Sequence, residues 1–145
     1  MPFRVLIADQ MSPRAEEILS ASTTIECDVK AGISEDELLA CLGEYDGLLI
    51  RSRTVVTEAL MTAAPRLKLI GRAGIGVDNV DVEAATRLGI IVQNAPNGNA
   101  ITTAEHALCL LLAMVRNIPK ATASMKQNKW EKSKLQGTEL YGKNF

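Results

Sequence analysis

The sequence predicts an α/β domain in which a parallel sheet is covered by helices on both faces. Three observations predict it. Five short apolar runs read as strands, four capped amphipathic segments read as helices between them, and the two kinds alternate over about ninety residues. The first run, Phe3 to Ala8, is broken only by Arg4, and Ser12-Pro13 follows as N-cap and first residue of a helix through Ser20. Thr24 to Val29 is β-like, and Ser34 with Glu37 makes a capping box ahead of Leu38, Leu39 and Leu42. Gly47 to Ile50 is the third strand, Thr57 caps a helix through Ala64, and Pro65 closes it. Leu67 to Ile70 is the fourth strand. Asp81 caps a helix ending at Leu88-Gly89, with glycine at the position after the last turn, and Ile90 to Gln93 is the fifth strand.

Together these elements describe a doubly wound domain with a flavodoxin-like strand order, over residues 1–97. Beyond the loop "NAPNGNA" the character changes. "ITTAEHALCLLLAMVR", Ile101 to Arg116, is apolar nearly all round in its second half and expects burial on several sides. Pro119 to Asn128 can be helical, and residues 130–145 are polar and irregular. A five-stranded domain already has its helices, so 98–145 reads as the start of a second, incomplete domain.

Composition narrows the function. The chain has 145 residues, 47% apolar and 23% charged, with a formal net charge of -1, so no global field for nucleic acid or a membrane surface is present. The charge is uneven. From Arg116 onward seven Lys or Arg face two Glu, a local net of +5 that leaves -6 for the rest. That basic tail is either a solvated face or an arm touching something anionic. Cys27, Cys41 and Cys109 are odd in number and lack metal-ligand spacing, so they read as buried thiols of a reducing compartment, and no metal site is expected. The longest apolar run, Ala107 to Val115, is too short to span a bilayer, and without a leader pattern the expected location is the cytoplasm.

The stretch "LIGRAGIGVDNVD", residues 69–81, resembles a dinucleotide loop. Its spacing is wrong. From Gly74 and Gly76 the third glycine of G-x-G-x-x-G falls on Asn79. In open parallel sheets ligands bind beyond the carboxyl ends of the strands, which here carry Asp9-Gln10, Arg51-Ser52-Arg53, Gly71 to Gly76 and Asn94 to Asn99. Arg51 and Arg72 follow adjacent strands and can converge on one anion, with glycines admitting backbone N–H groups beside them. A small anionic substrate suits this loop better than a dinucleotide. Surface arginines beside ordinary turns remain the plainer reading of the same residues.

"GRAGIGVDNVDVEAATRLGI", "NAPNGNAITTAEHAL" and "ATASMKQNKWEKSKLQGTELYGKNF" resemble the N-terminal part of the D-isomer-specific 2-hydroxyacid dehydrogenases. The pattern Gly-x-Asp-x-x-Asp is general to that family, while "GRAG", "PNGN" and "KWEK" together resemble its phosphoglycerate-oxidising branch. The resemblance implies a substrate domain followed by the entry into an NAD-binding domain. It implies that the amides of Ala73 and Gly74 hold the substrate carboxylate, and that Arg51 and Arg72 serve the phosphate of 3-phosphoglycerate. It further implies that Ile75 lies against the NAD cofactor, that Thr103 stands near the nicotinamide, and that Lys132 reaches a neighbouring subunit's site in a homo-oligomer joined through residues 101–145. Family members continue into the glycine-rich NAD loop and later supply an Arg, a Glu and a His for hydride transfer. The sequence carries none of these as catalytic residues: His106 lies inside the apolar helix and reads as a packing or capping residue. A fragment or incomplete subunit, inactive alone and with weak or absent NAD affinity, is therefore expected. Other readings stay open: a family member reducing glyoxylate, lactate or another 2-keto acid, and an NAD-sensing corepressor of the same fold. A receiver domain needs an aspartate where Arg51 stands, and a flavodoxin needs a hydroxyl-rich loop where "DQMSP" stands.

Overall fold

A computed structural model describes residues 2–144. The chain divides after Asn99 into two compact units.

In the first unit five parallel strands form one sheet: β1 (Phe3–Ile7), β2 (Ile25–Val29), β3 (Gly47–Ile50), β4 (Leu69–Arg72) and β5 (Ile91–Asn94). Their spatial order is β2-β1-β3-β4-β5, the flavodoxin-like order. The helices between them are α1 (Pro13–Ser20), α2 (Glu35–Cys41), α3 (Glu58–Thr62) and α4 (Val82–Leu88). Each starts where a side chain can satisfy orphan N–H groups. Ser12, Ser34, Thr57 and Asp81 accept from the backbone of Arg14, Glu37, Leu60 and Ala84, and Glu37 closes the capping box on Ser34. Gly89 ends α4 at φ 71°, a left-handed conformation that costs glycine nothing.

The fourth strand lies two residues later than the apolar run suggests. Pairing with β3 sets it, because Gly47 to Ile50 align with Leu69 to Arg72 and the ladder runs on through Gly71. Leu48, Ile50 and Ile70 are fully buried and form the core with Leu38 of α2, Leu60 and Met61 of α3, and Ala84 and Ala85 of α4. Truncating one such leucine costs about 2–5 kcal/mol. Register therefore fixes which residues emerge at the carboxyl ends of β1, β3 and β4: Ala8 and Asp9, Arg51, and Arg72 with the loop after it.

Among its described residues the second unit contains α5 (Ala100–Val115) and α6 (Ile118–Lys126), bent 62° apart, and a 3-10 turn at Lys132–Lys134. No single helix among the described residues is long and apolar enough to cross a membrane. Two sequence expectations are corrected here. Helix α5 has no buried residue: Leu108, Leu110, Leu112 and Met114 are exposed, so Cys109 is exposed too and His106 neither packs nor caps. Cys27 and Cys41 are half-buried rather than buried, since each sits at the margin of the sheet's cover. All three thiols are free.

Candidate functional site

The carboxyl ends of β1, β3 and β4 are tied together by two buried polar side chains. Asp9, 3% exposed, accepts from the backbone N–H of Arg51 at 2.6 Å, the N–H of Thr54 at 3.2 Å and the Thr54 hydroxyl at 2.9 Å. Burial pushes its carboxyl up, but donors from Arg51, Thr54 and Arg53 outweigh that and hold it below the ordinary aspartate value. Asn79, 8% exposed, grips the same turn from its carbonyl side, donating to the C=O of Arg51 at 2.7 Å and of Thr54 at 2.5 Å. Its own carbonyl accepts Nε of Arg72 at 2.6 Å.

Arg51 and Arg72 do emerge at one end of the sheet, Arg72 pairing with Ile50, the residue before Arg51. Their guanidinium groups, however, have different neighbours. Arg51 is exposed and lines a cleft of about 420 Å³ with Asp9, Gln10, Gly32, Ser52 and Arg53. Arg72 has a side chain only 10% exposed, held by Asn79 and 3.8 Å from Asp78. It lies under its own loop so closely that a Cβ on Gly74 would collide with the guanidinium. A single anion gripped by both arginines is therefore not prearranged. The second cation of the cleft is Arg53, one of the residues expected beyond the end of β3, whose Nη2 donates to the C=O of Gly32 at 3.5 Å.

The amides also fall differently from the expectation. Ala73 N–H extends the β3–β4 ladder to the C=O of Ile50 at 2.9 Å, and Gly74 N–H closes on the C=O of Arg72 at 2.9 Å. Both donors are occupied within the fold. The N–H groups of Ile75 and Gly76 have no partner among the described residues, and the loop that carries them is pinned by Asn94, donating to the C=O of Ile75 at 2.7 Å, and by Ala95, donating to the C=O of Gly74 at 2.9 Å. Amides on a pinned loop beside the Arg72 guanidinium have a geometry suited to an anion, with the exposed Asp78 carboxylate 3.8 Å from the same guanidinium. The Ile75 side chain is itself exposed.

Thr103 and Lys132 belong to the second unit. Thr103 stands exposed in the first turn of α5. Lys132 borders an apolar-walled cleft of about 410 Å³ with Met125, Trp130 and Leu135, and Trp130 is 78% exposed.

A sequence model of the catalytic domain of the D-isomer specific 2-hydroxyacid dehydrogenases matches residues 5–139. The chain belongs to that family. Among curated relatives, the D-3-phosphoglycerate dehydrogenase of Synechocystis is 48% identical over 98% of this chain, and that of Sus scrofa is 49% identical over 97%. The chain spans about a quarter of the length of these dehydrogenases, 25% and 26% respectively. Solved structures of similar shape include the PH0520 protein of Pyrococcus horikoshii, with TM-score 0.84 and 28% identity over 99% of this chain and 44% of that one. The TT0316 protein of Thermus thermophilus gives TM-score 0.82 and 30% identity over 97% and 46%. The D-lactate dehydrogenase of Aquifex aeolicus, solved with NAD and lactic acid, shares the fold at TM-score 0.78 and 24% identity over 94% and 41%.

Proposed function

We propose that this chain is the substrate-binding part of an NAD-dependent D-3-phosphoglycerate dehydrogenase, which oxidises 3-phospho-D-glycerate to 3-phosphohydroxypyruvate on the route to L-serine. Near-half identity to proteins of that name across almost the whole chain supports the activity. What supports the substrate is geometric: two places suited to an anion lie at one end of the sheet. The free amides of Ile75 and Gly76, backed by Arg72, suit a carboxylate, and the Arg51–Arg53 cleft suits a phosphate. A lactate-like substrate has no group for the second place.

In this reading residues 1–97 orient and neutralise the substrate, while the hydride goes to NAD on a domain entered through residues 98–145. Ile75 faces the cofactor, Thr103 stands on its nicotinamide side, and Lys132 serves the site of a second subunit in a homo-oligomer built through residues 101–145. The exposed apolar surface of α5 supports that assembly.

The test is an NMR titration of the 145-residue chain with 3-phosphoglycerate and D-glycerate. Saturable shifts at residues 71–76 are expected near 1 mM for phosphoglycerate, roughly -4 kcal/mol, and about tenfold weaker for glycerate. Equal affinities would remove the phosphate from the proposal, and micromolar NAD binding would contradict the assignment of the cofactor to a domain outside this chain.

A further inference from the structure

Asn79 is buried yet three of its four hydrogen-bonding positions are used on groups that belong to the two halves of the site. Its Nδ2 donates to two carbonyls, of Arg51 and Thr54, and its Oδ1 accepts from Arg72 Nε. Carbonyls can only accept and Nε can only donate, so the amide has a single orientation that satisfies all three. Its main chain is equally committed: Val56 N–H donates to the C=O of Asn79 at 2.8 Å, beside the parallel bridge between Val56 and Val80. The side chain thus projects from a fixed point and touches the backbone of one arginine and the guanidinium of the other.

We infer that Asn79 is a positioning residue for substrate recognition, setting the place of the Arg51 turn relative to Arg72 so that a phosphate and a carboxylate on one small molecule are met together. The inference rests on the phosphoglycerate reading. Its physical content is preorganisation: an arginine whose backbone is already held loses less freedom when it captures an anion. Asp9 grips the same turn through the N–H groups of Arg51 and Thr54, but it makes no bond to Arg72. Among the described side chains, Asn79 is the one bonded both to the Arg51 turn and to Arg72, beside the backbone ladder that joins β3 to β4.

Two variants separate its roles. Asn79→Ala releases both ends without adding a charge beside Arg72, and Arg51→Ala removes the phosphate end alone. In the 145-residue chain, Asn79→Ala is expected to weaken both ligands, and 3-phosphoglycerate by about tenfold more than D-glycerate. If Asn79 acts through Arg51, adding Arg51→Ala to Asn79→Ala changes phosphoglycerate affinity by under about twofold, although Arg51→Ala alone costs about tenfold. Equal loss for both ligands in Asn79→Ala, or a full tenfold cost of Arg51→Ala in that background, would overturn the inference. Should the variants not fold, the wild-type side-chain amide signals of Asn79 decide: they shift on saturation with phosphoglycerate and not with glycerate, and unmoved signals overturn it. Failure of the underlying reading looks different, because wild type would then fail to prefer phosphoglycerate before any variant is made.

Discussion

Replacing Asp9 by Asn tests whether the turn that carries Arg51 is held by a buried carboxylate. The substitution is nearly isosteric: the Asn oxygen takes the N–H groups of Arg51 and Thr54, which Oδ2 now receives at 2.6 and 3.2 Å, and its NH2 donates to the Thr54 hydroxyl oxygen. The three contacts survive without the charge. A hydrogen bond to a charged group contributes about 1.5 kcal/mol at the low end against about 1 kcal/mol for a neutral one, so three bonds weakened by about 0.5 kcal/mol each cost about 1.5 kcal/mol. Against a typical stability of about 5–15 kcal/mol, that is a readily measured loss. The difference must also depend on pH. A carboxylate held below its unfolded value stabilises the fold above that value and stops doing so as pH falls through the folded one, so the wild-type advantage fades below about pH 4. Asp28, held down first by the Tyr45 hydroxyl and then by Arg4, and Asp46, held down first by the Arg4 N–H, contribute equally to both proteins and cancel. Urea unfolding at pH 7 and pH 3 is the assay. Equal stability at pH 7, or a difference that does not shrink between pH 7 and pH 3, would show that the Asp9 charge does not hold the turn.

Other expectations follow from the same geometry. Gly89→Ala places a Cβ at φ 71° with nothing within 4 Å, so only backbone strain opposes it, and a loss of about 1 kcal/mol in urea unfolding is expected with anion binding unchanged. Gly74→Ala collides with the Arg72 guanidinium and should displace it, weakening D-glycerate as much as phosphoglycerate in the NMR titration; a selective loss of phosphoglycerate would place Arg72 at the phosphate instead. Exposed Leu108, Leu110, Leu112 and Met114 on α5 predict self-association, seen by sedimentation as a dimer or larger species at micromolar concentration and reduced by Leu110→Glu. A clean monomer for wild type would count against assembly through residues 101–145.

What was legible in the sequence was what local chemistry determines. Ser12, Ser34 with Glu37, Thr57, Asp81 and Gly89 mark helix ends because each acts on neighbours within a few residues, and the parallel sheet follows from five apolar runs alternating with those helices. Pairing between distant segments was not legible. The shift of β4 to Leu69–Arg72 comes from its register with β3, and that register is what occupies the Ala73 amide. From the string "GRAGIG" alone all the loop amides look equally available; only the folded ladder shows that Ile75 and Gly76 hold the free ones. Asn79 left no periodic or capping signal, since its partners Arg51 and Thr54 lie 28 and 25 residues away. The apolar character of α5 was plain, but whether that surface is covered depends on groups outside the helix.

A crystal structure of the chain with 3-phosphoglycerate bound shows directly where each anionic group sits. The carboxylate oxygens are expected at about 2.9 Å from the amides of Ile75 and Gly76, and the phosphate oxygens in the cleft at a similar distance from Arg51 and Arg53. A phosphate resting on the Gly74–Gly76 loop while the cleft stands empty would contradict that placement.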